Sequence, residues 1–153
     1  MAKATVKMPE DFLKKISGLG SETDRITTKA LEAGAQVMYQ VVKANLQSVI
    51  GMDRSKNTKY ENTGQLIYLL GVTPTEINNK GNTDIKIGWP KVRIGRGSMN
   101  TRYRLYAAGI ATILEYGKHN QKARPFMAPA IRKNKDRCLE VMTQTLESEI
   151  ARL

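Results

Sequence analysis

The sequence predicts an α+β domain, a small, mostly antiparallel sheet packed against a long N-terminal helix and a long C-terminal helix. Three observations carry this. Apolar residues recur at steps of three and four between Ser21 and Val49, and again from Cys138 through Met142 and Leu146 to Ile150. Between those segments, "VTPTEI" and "TDIKIGW" flank "NNKG", the pattern of two strands joined by a turn that tolerates positive φ. With 153 residues and no repeat or linker, a single domain over 1–153 is expected.

In chain order, residues 1–8 form a loose leader. Pro9 then suits the first position of a short helix, with Glu10 and Asp11 favouring its positive end and Gly18 or Gly20 closing it. Ser21 with Asp24 resembles a capping box for the long helix that follows. Its apolar stripe is Ile26, Ala30, Ala33, Val37, Val41 and Ala44, with Leu31, Gly34, Met38 and Val42 beside it. Gly34 weakens a helix and implies that another backbone passes close by. Residues 51–62 are polar and unpatterned, a loop. Thr63 caps a helical turn that Gly71 breaks.

Pro74 confines the first strand to an edge or a bulge, and Ile85, Ile87 and Trp89 share one face of the second, which makes Trp89 a core residue. Residues 91–106 are either a hairpin extension or a long loop. "AAGIATILEYG" is a short helix with Gly117 at its C-terminal cap, and Pro129 suits the first turn of the last helix, where Ile131 and Leu139 accompany the apolar stripe.

Charge is where the chain departs from an average globular protein. It carries 25 Lys and Arg against 14 Asp and Glu, a formal +11. Residues 91–124 hold eight of the basic groups and one acid, Glu115, so +7 of the excess falls in 34 residues. Concentrated charge of one sign calls for a polyanion or an acidic protein face. The candidate surface comprises Lys91, Arg93, Arg96, Arg102, Arg104, Lys118, His119, Lys122 and Arg124. Tyr103 and Tyr106 interleave with it and can stack on bases, but no helix-turn-helix, zinc-finger or ribonucleoprotein motif accompanies them.

Catalysis finds little support in the residues. His119 is the one histidine and lies in a polar connector; no second carboxylate pairs locally with Glu115. Cys138 is the one cysteine, on an apolar helical face where a buried thiol is inert, and it excludes an internal disulfide framework. Metal-ligand spacing is absent, and "IGRGS" lacks the rest of a phosphate-loop motif. No enzyme, metal or cofactor is expected. No apolar run is long enough for a transmembrane helix, and the first residues lack a secretory h-region, which points to synthesis in a cytosol-like compartment.

"ILEYGKHNQKARPFMAPAIRKNKD" resembles the closing signature of the tail-completion, or head–tail joining, family of long-tailed bacteriophages. Glu115-Tyr116-Gly117 matches its acidic-aromatic-Gly helix end, Pro125-Phe126-Met127 its Pro-Phe corner, and Pro129-Ala130 the start of its last helix. Thr63-Gly64 with Leu66 and the long helix from Ser21 to Val49 extend the likeness over about residues 9 to 150; the stretch 91–106 is longer and more basic than the family pattern.

The resemblance implies a minor tail protein of the virion neck that does no chemistry. It would form a ring, commonly six-fold, between the head-completion (stopper) protein and the tail terminator or tube, around the DNA channel. Gly117, Pro125, Phe126, Met127 and Pro129 would form a structural corner that presents the connector. A non-specific nucleic-acid-binding module using 91–124, and a tail terminator, are the alternatives.

Overall fold

The computed structural model describes residues 3–7, 9–10, 22–51, 63–91, 106–119 and 121–152. It is α+β, with two long helices and a four-stranded antiparallel sheet around one core. Helix α1 spans Thr23–Gly51, α2 Thr63–Leu69, α3 Ala107–Tyr116 and α4 Met127–Ile150; strands β1 to β4 span Ala4–Lys7, Gly71–Val72, Glu76–Ile77 and Thr83–Gly88. Most of the helix expected over 9–20, the Ser21 cap and the 52–62 loop lie outside the described residues.

The supposed leader contains a strand. Ala4 and Val6 alternate with Thr5 and Lys7, burying the first pair, and β1 runs antiparallel to β4 with Ala4 opposite Ile87 and Lys7 opposite Asp84. Four residues of period-two pattern suffice because β4 already offers an edge. β4 is therefore central, with β1 on one side and the β2–β3 edge on the other.

That second edge carries a bulge. Val72 faces Ile87 and Glu76 faces Asp84, so four steps on one strand match three on β4. The extra residue falls within Thr73-Pro74-Thr75, where the missing proline N–H does no harm. The Thr73 amide donates to the Lys86 carbonyl at 2.8 Å, and the Thr73 hydroxyl accepts from the Lys86 amide at 3.1 Å. The expected turn is also present. Asn78 Oδ1 accepts from the amides of Lys80 and Asn82, and Gly81 takes φ of 77°.

α1 packs against both β4 and α4. Its buried face is Ile26, Ala30, Leu31, Ala35, Met38, Val42 and Leu46, whereas Ala33, Val37 and Val41 are half-buried and Ala44 is exposed. The expected stripe is rotated: the larger side chains turn inward because the sheet and α4 together cover that side. On α4, Cys138, Met142 and Leu146 are buried, but Ile131 is exposed.

The two long helices run antiparallel, as three contacts along them show. Near one end, the buried Glu149 carboxylate accepts from Lys29 at 2.7 Å, Arg152 at 3.0 Å and Arg25 at 3.4 Å. At the middle, a Cβ on Gly34 would lie 2.5 Å from Met142 Cγ and 3.2 Å from Cys138 Sγ. What approaches Gly34 is thus two side chains of α4, not a backbone. At the far end, Asn45 Nδ2 donates to the Phe126 carbonyl at 3.1 Å.

Gly34→Ala gains about 1 kcal/mol of helix propensity but overpacks Met142 at a cost of about 1–3 kcal/mol, a net loss. Met142→Ala in the same chain relieves the clash, so urea unfolding should show the double variant losing less than the sum of the singles; strict additivity would contradict the close approach.

The Glu149 carboxyl is held below the usual carboxylate range, chiefly by the Lys29 hydrogen bond, against the opposing cost of burial. A lowered folded-state value contributes stability above the ordinary carboxylate pKa, and that contribution disappears as pH falls through the lowered value. Glu149→Gln should flatten this acid limb when Tm is followed against pH; an unchanged limb would assign acid sensitivity to other carboxylates.

Candidate functional site

The connector between α3 and α4 is built from the end of α3. α3 buries Ala107, Ile110, Ala111, Leu114 and Glu115, so one carboxylate sits on its inner face. Gly117 closes the helix with φ of 75°, its amide donating to the Ile113 carbonyl at 2.8 Å. A Cβ there would meet Ala123 N and Gln121 O at 2.8 Å each, so both backbone angle and space require glycine.

The chain then makes a tight turn. The Lys118 amide donates to the Gln121 carbonyl at 3.0 Å and the Gln121 amide returns the bond at 3.1 Å. The Arg124 amide donates to the Leu114 carbonyl at 2.7 Å, which docks the far end of the connector onto α3. Lys118, His119 and Lys122 are exposed and Arg124 is half-buried.

The start of α4 explains the carboxylate. A helix leaves its first four backbone nitrogens without intrahelical acceptors. Here these belong to Phe126, Met127, Ala128 and Pro129, and no side chain of the cap residue Phe126 serves them. Glu115 does. Its Oε2 accepts from the amides of Phe126 and Met127 and its Oε1 from that of Ala128, each at 2.9 Å. Pro129 has no N–H to satisfy. The positive end of α4 is thus sealed by an acid from the preceding helix.

The apolar side of the corner is equally fixed. Phe126 and Met127 are buried, and the Phe126 ring meets Trp89 edge-to-face at 5.9 Å. Trp89 is half-buried against the core rather than enclosed by it, and its Nε1 donates to the Leu66 carbonyl at 2.8 Å. Elements α1, α3 and α4 therefore meet at this corner, with Trp89, just past β4, linking it to α2.

Of the other predicted surface residues, Lys91 is exposed and its ammonium lies 6.0 Å above the Tyr106 ring, bringing together the two residues that bracket 92–105. Arg93, Arg96, Arg102 and Arg104 lie outside the described residues. Sequence reasoning passed over two features. One is the capping role of Glu115. The other is Arg132, Lys133, Lys135 and Arg137 on α4, all exposed; counting charge over six residues instead of a whole segment would have found them.

Among the described residues, no three His, Cys, Asp or Glu side chains come together as a metal site. The Cys138 thiol is buried, donates to the Gly34 carbonyl at 3.4 Å, and is pushed above its usual pKa by burial. No helix among those residues is long and apolar enough to cross a membrane. No protein-family model, curated protein or solved structure matches this chain.

Glu115→Ala leaves the buried amides of Phe126 and Met127 without acceptors, at about 1–3 kcal/mol each. Glu115→Gln keeps one carbonyl acceptor and should fall between Ala and wild type. Phe126→Ala should cost about 3–5 kcal/mol. All three are read from urea midpoints; a Glu115→Ala loss under about 0.5 kcal/mol would contradict the capping role.

Proposed function

We propose that this protein is a structural joining component of a long-tailed bacteriophage virion. In this reading it forms a ring at the head-proximal end of the tail, between the head-completion protein and the tail terminator or tube, and surrounds the DNA channel. It performs no chemistry. The observation that carries the reading is the Glu115 clamp. The residues of the resemblance, Glu115-Tyr116-Gly117, Pro125-Phe126-Met127 and Pro129-Ala130, are those that build one rigid corner. A signature that spends its acid on backbone amides serves architecture.

Exposed apolar side chains support a protein-binding role. Tyr68 on α2, Ile77 on β3 and Tyr116 at the end of α3 are 88%, 75% and 71% exposed, surface that a neighbouring subunit or partner can cover.

The test is electron microscopy of a lysate from a phage lacking this gene. Full heads beside separate tails of normal length are expected. Overlong tails would instead assign the terminator role, and normal joined particles would discard both.

A further inference from the structure

The first half of α4 carries a second basic cluster, separate from the connector. Arg132, Lys133, Lys135 and Arg137 lie within six residues, are all exposed, and share that stretch with one acid, Asp136. At 100° per residue Arg132 and Lys133 point away from Ala130, Cys138 and Met142, while Lys135 and Arg137 flank that buried side, all four along about 8 Å of axis. None of the four forms an ion pair among the described residues.

They stand in the second and third turns of α4, past the first turn, within which the pull of the helix dipole falls off. The helix end is also closed to an outside anion, because Glu115 already occupies its amides. What remains is a lateral field of ammonium and guanidinium groups.

We propose that this exposed basic stretch of α4 binds the phosphate backbone of duplex DNA without reading sequence. Charge density favours phosphate over an acidic protein. Protein interfaces concentrate apolar and aromatic side chains and deplete charge at their centres. Here the most exposed apolar residues, Tyr68, Ile77 and Tyr116, lie on other elements, and only Ile131, 38% exposed, adjoins the cations. Phosphate contacts need positive charge and little else. The inference stands apart from the joining role, since a protein of any function could carry this stretch.

The test uses the full chain and a random-sequence duplex, with anisotropy followed between about 50 and 200 mM NaCl. Each phosphate neutralised adds about 0.9 to the log–log salt slope. The variant R132Q/K133Q/K135Q/R137Q should therefore bind with a slope shallower by up to about 3.6. Glutamine preserves helix propensity, and circular dichroism checks the fold. The half-variants R132Q/K133Q and K135Q/R137Q should each give about half the change. A control, K3Q/K7Q/K80Q, removes exposed charge elsewhere and should shift the slope by less than about 1. Equal loss per charge in the control overturns a localised surface, as does wild-type protein that ignores DNA. Displacement of the duplex by polyglutamate at equal charge would assign the stretch to an acidic protein. Retained DNA binding with unjoined heads and tails would support both proposals, and DNA binding with normal virions would keep this one alone.

Discussion

Everything near the connector depends on one carboxylate. Glu115 ends α3 and begins α4 in the same contact, because its two oxygens take all three amides that the new helix leaves unbonded. That fixes the separation of the two helices to a side-chain length. The intervening chain must then leave and return within a short span. Gly117 permits the exit, the Lys118–Gln121 turn reverses it, and the Arg124 amide docks the return on Leu114. Phe126 is carried into the core by the same geometry, where Trp89 and Asn45 hold it from two other directions. The polar and apolar anchors are alternate sides of one residue's backbone and ring.

The carboxylate also supplies what the first turn of α4 lacks. That turn has no acid of its own, and its positive end is met by the Glu115 charge instead. The surface is divided, with the most exposed apolar side chains on α2, α3 and β3 and, on α4, cations unpaired among the described residues.

Helix periodicity made α1 and α4 legible in the sequence, since three- and four-residue spacing survives over 29 and 24 residues. Which side of α1 faces inward was less clear. Ala33, Val37 and Val41 form as regular a row as Leu31, Ala35 and Val42, and only the partners decide between them. β1 was missed because its partner lies some eighty residues away, so no local turn announces it. The same reason hid Glu115: its partners are eleven to thirteen residues downstream, beyond any capping-box spacing. Gly117, Pro125 and Phe126 could be read as a corner because glycine and proline act through their own backbones. The basic cluster of α4 was invisible to a segment-wide count that averaged it with Glu140, Glu147 and Glu149.

The order of the elements bears on how the chain is made. β1 is made some eighty residues before its partner β4. α1 likewise waits for α4, since Gly34 meets Met142 and Lys29 meets Glu149. Until α4 has been made, the side of α1 that faces it stays uncovered. The pairing of α1 with α4 is therefore a late step, and the wait is a window in which chaperones can act on the chain.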